Sequence, residues 1–341
     1  MSARRIAVLG TGGTIASRLD QHGAAQPVDL IAALVGGLEL GDVELVATDL
    51  FVKDSSALTT ADQALIVREV RAALEDPATD GVVVTHGTDT AEETAYLLDL
   101  VHTDDRPVVL TGAQRPADAP DADGPRNLRD ALTVAADPRA RGLGVLVVFD
   151  GLVLAARGTR KVHTHETAAF AQPDGGALGE VVDGRLVVVG TPAHREHLPV
   201  DPRDIDTLRV DIAAVYPGVD GTALQAFAAA GARGVVLVAT GSGNANPAVV
   251  AAVADLTRRG VVVALTTRVD TGPVAGIYGG GGGGADLVAA GAVPLGTLRA
   301  GQGRILLLAL LAAVGDPDRV RAALPSFIPV VEQPSLPPVV E

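Results

Sequence analysis

The sequence predicts an α/β protein of two domains, the larger built on a mostly parallel sheet of flavodoxin or Rossmann type. Three observations carry this. The length, 341 residues, exceeds one small core and suits two domains. Nearly half the chain, 48%, is apolar, so a packed interior is expected and disorder is excluded. Short valine-rich runs alternate with helical stretches, the pattern of parallel strands buried on both faces between helices.

In chain order, strands are predicted at IAVLG (6–10), VELVATD (43–49), GVVVTHG (81–87), PVVLTGA (107–113), GVLVVFD (144–150) and RLVVVG (185–190). Helical patterns lie between several of them, at 60–74, 91–101 and 127–136. Residues 191–210 hold three prolines, many charges and no apolar period. They set the domains at 1–190 and 212–341, with 191–211 as linker. The α/β pattern then restarts at IAAVYPG (212–218), GVVLVATGSG (234–243) and VVVALTT (261–267), giving a smaller C-terminal α/β domain. The proline-rich tail after Ser326 reads as an extended strap. Six consecutive glycines at 279–284 read either as a flexible loop or as a mobile flap near a site.

Composition excludes several function classes. A net charge of −14 repels phosphate backbones, so no nucleic-acid partner is expected. There is no cysteine, which removes disulfides, thiolate nucleophiles and Cys-based metal sites. The apolar run after Arg4 and Arg5 covers only residues 6–9, too short for a signal peptide, and ILLLALLAAV (305–314) is too short to span a bilayer. A soluble, cytoplasmic protein with no membrane partner is expected.

Ligands of open α/β sheets bind beyond the carboxyl ends of the strands. There the sequence places Thr11-Gly12-Gly13-Thr14, Asp54-Ser55-Ser56, His86-Gly87-Thr88-Asp89-Thr90 and Thr111-Gly112-Ala113-Gln114-Arg115-Pro116. Hydroxyls, an acid and glycines that admit a close backbone suit a small polar substrate. A dinucleotide reading of Gly10-Thr11-Gly12 fails because Ile15 stands where a small residue is needed, and no Gly-Lys-Ser/Thr follows to make a P-loop. His163 with His165 and His194 with His197 lack a third ligand at suitable spacing, so neither a metal nor another cofactor is expected. His86, at a strand end, reads as a hydrogen-bonding core residue before it reads as a base.

Lysine is scarce: only Lys53 and Lys161 occur among 27 basic residues. Where arginine is the habitual cation, a retained lysine points to a group that can lose its proton, as arginine cannot. Lys161 reads as a general base or proton relay, or as an ordinary surface lysine. Thr14, after a glycine turn, stands where threonine commonly caps a helix.

Six motifs resemble those of the bacterial-type L-asparaginases and the related glutaminase-asparaginases. They are TGGTIA (11–16), DSSALT (54–59), HGTDT (86–90), GAQRP (112–116), DGPRN (123–127) and KVHTHETAAF (161–170). The resemblance runs along the whole chain and thins in the second domain. It implies Thr14 as the nucleophile that forms an acyl-enzyme. It implies a second cluster in which Lys161 and Asp89 poise the Thr88 hydroxyl. Ser55, with Ser56 beside it, would hold the α-carboxylate of an amino-acid amide, and Asp89 its ammonium group. The backbone at Ala113 and Thr88 would lie near the developing oxyanion, and Asn246 would reach a neighbouring subunit's site. A homotetramer, or a homodimer, with sites at subunit interfaces follows from the same resemblance.

Two departures stand out. The segment SRLDQHGAAQPVDL (17–30) lacks the tyrosine that the family's lid carries, leaving His22 or a tyrosine from elsewhere to stand in. Where many members supply a glutamate from the partner's second domain, this chain has Tyr278 and glycines, with Asp286 the nearest acid. Asparagine hydrolysis is the leading expectation. The alternatives are an amidohydrolase acting on glutamine or another amide, and a non-catalytic amino-acid-binding protein.

Overall fold

The computed structural model describes residues 3–38, 41–192 and 196–328. It divides into two compact units, Met1–Thr207 and Leu208–Glu341. The stretch read as a linker holds, in its described part, a short helix at Pro202–Ile205 and the start of a strand at Val210. His194 and the tail 329–341 lie outside the described residues.

The first unit opens with β1 (Arg4–Gly12), a hairpin of β2 (Ser17–Leu19) and β3 (Ala25–Pro27), helix α1 (Ile31–Val35) and β4 (Val43–Lys53). Then α2 (Thr60–Glu75), β5 (Thr79–Thr85), α3 (Ala91–Val101), β6 (Val108–Thr111), α4 (Gly124–Ala136) and β7 (Val145–Phe149) alternate as the sequence predicts. β8 (Leu152–Ala155), a hairpin of β9 (Arg160–Lys161) and β10 (Phe170–Ala171), β11 (Gly179–Val182), β12 (Arg185–Val188) and α5 (Pro202–Ile205) complete it.

Local chemistry explains the main elements. Ile6 and Val8 of β1 and Val82, Val83 and Val84 of β5 are fully buried, as parallel strands covered on both faces require. Thr59 and Asp62 form a capping box that starts α2, whose Gln63, Ile66, Val67, Val70 and Leu74 make a buried stripe at helical spacing.

The eight strands of the main sheet lie in the order β12-β11-β8-β7-β6-β5-β1-β4. The five from β7 to β4 are parallel, and in chain order they run 2-1-3-4-5, the flavodoxin arrangement. The chain reverses its winding between β1 and β5, which makes the loops after these two strands the walls of the expected crevice. RLVVVG is β12, but it pairs antiparallel with β11 at the sheet edge. β8 and β11, which the sequence reading did not include, each border a two-residue hairpin, β8 being entered from β7 and β11 leading into β12. Asp150-Gly151 and Asp183-Gly184 all have positive φ, as type I′ turns need.

The second unit holds β13 (Val210–Ala214), α6 (Thr222–Ala229), β14 (Gly234–Ala239), α7 (Pro247–Arg258), β15 (Val262–Thr267), α8 (Gly284–Ala289), β16 (Val293–Pro294), α9 (Ala300–Val314) and α10 (Pro317–Ala323). Its four strands are parallel in the order β13-β14-β15-β16. The apolar run 305–314 lies in α9, buried from Ile305 to Leu311. The glycine run is a packed turn, in which Gly281 and Gly283 N–H both donate to Asp286 Oδ2 at 2.8 Å. A Cβ on Gly283 would strike the Tyr278 carbonyl, so close packing requires glycine there.

At the crevice, Gly13 has φ 77°, and a Cβ there would collide with the backbone of Gly87. Gly13→Ala therefore combines a left-handed backbone with overpacking. Urea unfolding is expected to show a loss of about 3 kcal/mol. An unchanged midpoint would mean that the loop moves aside freely.

Candidate active site

β1 delivers its loop by close backbone contacts. The Gly13 N–H donates to the Lys53 carbonyl at 2.9 Å, and its own carbonyl accepts from Ala16 N and Ser17 Oγ. Gly13 is the N-cap of a short 3₁₀ turn, Thr14–Ala16. Thr14 is thus the first residue of the turn and does not cap it. The residue is half-buried. Because Gly13 rests on Gly87, Thr14 and Thr88 each follow directly from one backbone contact.

The loop after β5 is packed just as closely against the one after β4. A Cβ on Gly87 would lie 2.7 Å from Ser55 Oγ. Ser55 is buried; its hydroxyl accepts from Asp89 N at 3.1 Å and its carbonyl from Thr90 Oγ1 at 3.0 Å. Ser56, the next residue, is exposed. Asp62 clamps this loop at both ends. It takes Lys53 Nζ at 2.7 Å and the Thr59 N–H and hydroxyl at 2.9 Å each.

Lys161 joins the cluster. Its Nζ donates to Thr88 Oγ1 at 2.7 Å and to Asp89 Oδ1 at 2.8 Å. The lysine side chain is 18% exposed and the aspartate 60%, so the cation is sheltered while the carboxylate faces solvent. The Thr88 hydroxyl passes its proton toward Gln114 Oε1 at 3.1 Å. Gln114 Nε2 returns to the lysine's own loop, donating to the carbonyls of His163 and Glu166 at 3.3 Å. In this arrangement Lys161 is a donor, so it must shed a proton before it can act as a base.

The lysine rides on a small hairpin. β9 and β10 pair only with each other, with Lys161 opposite Phe170. The Phe170 ring lies 5.0 Å from that of Phe149 at the end of β7, which anchors the hairpin to the sheet. The Lys161 N–H donates to Glu92 Oε2 at 2.7 Å. Burial pushes the Glu92 carboxyl up to about 7, against the Lys161 amide and the charge of Arg160.

Asp123 organises the loop after β6. Its carboxylate accepts from the N–H groups of Gln114 and Arg115 at 3.0 Å and from Asn127 Nδ2 at 3.1 Å. Asn127 also donates to the Gly112 carbonyl at 3.0 Å. A Cβ on Gly112 would strike the His86 carbonyl, so Ala113 follows a third close contact; its side chain is buried in the core. His86 is fully buried and its Nδ1–H donates to the Gly87 carbonyl at 2.8 Å. Burial holds it near 4, so it is a neutral core group at neutral pH.

The structure therefore links Ser55, Thr88, Asp89 and Lys161 by hydrogen bonds and brings in Thr14 and Ala113 by backbone packing. Asn246 belongs to the second unit. It caps α7, accepting from Val249 N at 3.0 Å while its Nδ2 donates to the Val219 carbonyl at 2.8 Å. The tyrosine-free segment forms the β2–β3 hairpin, with His22 exposed at its turn. Tyr96 is fully buried, whereas Tyr216 and Tyr278 are exposed in the second unit. Sequence reasoning missed Glu92, Gln114, Asp123 and Asn127 as individual residues. All four lie in or beside the quoted motifs, but no spacing marks which member of a motif faces inward. Among the described residues, no three His, Cys, Asp or Glu side chains gather to hold a metal, and no helix is long and apolar enough to cross a membrane.

Residues 5–194 match the family described as "Asparaginase, N-terminal", and residues 209–324 match "Glutaminase/Asparaginase C-terminal domain". A probable L-asparaginase of Deinococcus radiodurans is 40% identical over 329 residues, covering 94% of this chain and 97% of that protein. A glutaminase-asparaginase of Pseudomonas aeruginosa is 36% identical over 278 residues, 78% of this chain and 76% of the relative. The crystal structure of a probable cytoplasmic L-asparaginase from Campylobacter jejuni superposes with a TM-score of 0.83 at 32% identity. It spans 94% of this chain and 99% of that one.

Two buried groups give opposite pH terms. Glu92 is raised from 4.5 to about 7, so its contribution to stability is fully present below 4.5 and lost as pH rises through 7. His86 is lowered from 6.5 to about 4, so its contribution is present above 6.5 and lost as pH falls through 4. Glu92→Gln leaves the histidine term unopposed. Its stability, read by guanidinium unfolding, is expected to fall more steeply than that of wild type as pH drops from about 6.5 to 4.5. Equal slopes would show that Glu92 ionises as a solvated acid does.

Proposed function

Because this chain belongs to the asparaginase family and is an asparaginase-type amidohydrolase, we propose that it hydrolyses L-asparagine to L-aspartate and ammonia with Thr14 as nucleophile. The observation that carries the reading is the Lys161 ammonium bridging Thr88 Oγ1 and Asp89 Oδ1 in the loop whose Gly87 packs against Gly13, the residue before Thr14. A binding role alone needs no such sheltered cation.

Thr14 Oγ attacks the amide carbon, and its proton passes to a base. The C–N bond breaks as the leaving nitrogen takes up a proton, and ammonia departs from an ester on Thr14. Water then attacks the ester, the C–O bond breaks and Thr14 regains its proton. Lys161, once neutral, is the proton acceptor, reached through the Thr88 hydroxyl when that hydroxyl swings away from Gln114. The Ser55 hydroxyl accepts from Asp89 N and keeps its own proton free for the substrate α-carboxylate. The exposed Asp89 carboxylate takes the α-ammonium. Backbone groups at Ala113 and Thr88 face the developing oxyanion.

Ser56 widens the carboxylate end of this proposed site. Asn246 acts on a neighbouring chain's site in a homotetramer or homodimer, through its backbone or after releasing one of its capping bonds. The cytoplasmic assignment follows the Campylobacter relative's description. A relative from Haemophilus influenzae is described as periplasmic, which makes fractionation of the source cells the deciding measurement. A second reading, turnover of glutamine or a larger amide, is favoured by the β2–β3 hairpin, which lacks a tyrosine and exposes Leu19, Val28 and Leu30.

Ammonia release from L-asparagine and L-glutamine tests both readings. Thr14→Ala and Lys161→Met are expected to lose activity by a factor on the order of 10³ or more while keeping wild-type circular dichroism. Wild type inactive on both amides would sink the substrate assignment. A Thr14→Ala protein at wild-type rate would sink the nucleophile.

A further inference from the structure

The geometry points to Glu92 as the residue that positions Lys161, a second hold on the lysine from the segment that already binds its ammonium group. The inference rests on the catalytic reading of Lys161 given above. It begins with how little else fixes the lysine's backbone. β9 is two residues long and its sheet contains only β9 and β10. Lys161 stands opposite Phe170, and the next amide, Val162 N, donates to the Ala169 carbonyl at 2.7 Å. Amides in an antiparallel pair alternate between facing the partner and facing away. The Lys161 N–H therefore faces away from β10, and Glu92 Oε2 receives it at 2.7 Å.

Glu92 is the second residue of α3, three positions after Asp89 and four after Thr88. One short segment thus grips the lysine twice, at Nζ through Thr88 and Asp89 and at the backbone N–H through Glu92. A neutral acceptor would satisfy the amide at lower desolvation cost than a buried acid. What a carboxylate adds is charge, which shortens and strengthens the bond. The charged groups facing Glu92 are Arg160 from the hairpin and Glu93 from its own helix. As pH falls through about 7, Glu92 takes up a proton and the hold weakens. The acid limb of turnover thereby acquires a component that belongs to neither the substrate nor the residues that touch it.

The test uses the full chain, labelled with ¹⁵N-lysine and otherwise unmodified. Only two lysines are present, so the Nζ signals are few and Lys161→Met assigns them. In Glu92→Ala the Lys161 Nζ signal moves, while the Lys53 signal stays. In Glu92→Gln, which keeps a carbonyl acceptor, the displacement is smaller. With turnover as readout, Glu92→Ala lowers kcat by tenfold to a hundredfold, on the order expected for a misplaced catalytic group, with KM within about twofold. Glu92→Gln recovers much of kcat and flattens the acid limb that wild type is expected to show near 7. A Lys161 signal that superimposes on wild type in Glu92→Ala overturns the inference, whether or not any amide is turned over. A displaced signal with kcat and acid limb unchanged overturns it as well. Wild-type inactivity on both amides, by contrast, would count against the substrate reading and leave the resonance measurement to decide the position of Lys161.

Discussion

Four loops meet at the carboxyl edge of the main sheet because glycines let them approach closely there. Gly13 rests on Gly87, Gly87 on Ser55, and Gly112 on the carbonyl of His86. Any side chain at these points would wedge the loops apart by the width of a methyl group. Three of the candidate residues stand directly after one of these contacts: Thr14 after Gly13, Thr88 after Gly87 and Ala113 after Gly112. The flavodoxin strand order supplies the crevice, and the absence of Cβ atoms lets its walls close to hydrogen-bonding range.

The second constraint is electrostatic. A lysine 18% exposed is held against a hydroxyl and an acid that is itself open to solvent. The pairing keeps the cation sheltered and leaves one carboxylate face for an incoming ammonium group. Gln114 closes the circuit, accepting from Thr88 and donating back to the loop that carries the lysine. The hydroxyl's orientation is thereby set by partners on both sides, a preorganised arrangement that loses little freedom when a substrate arrives. Asp62 and Asp123 serve at one remove, each a mostly buried carboxylate that ties a loop to the start of the helix behind it.

How legible this was differed with the range of the signal. The helix read at 91–101 is found at Ala91–Val101, because its apolar period and its acidic first turn are local. The strands β8 and β11 were hidden by their shortness, although both are announced by Asp-Gly pairs that only a tight hairpin explains. The six glycines read as a mobile segment, yet Gly283 is needed for packing, which no composition can reveal. Thr14 left two readings open, nucleophile or cap, and the cap reading is answered by Gly13 holding that position.

The sequence by itself determined the fold class, the family and the identity of Thr14, Ser55, Thr88, Asp89 and Lys161 as candidates. Motif and periodicity are properties of neighbouring residues and survive in one dimension. Only the tertiary structure decided that Glu92 receives the lysine's amide, that Gln114 receives the Thr88 proton and that Asn246 spends its side chain capping α7. The Glu92 and Gln114 contacts join residues 69 and 26 positions apart. A hydrogen bond depends on separation in space, and spacing along the chain carries no record of it once a strand and a helix intervene.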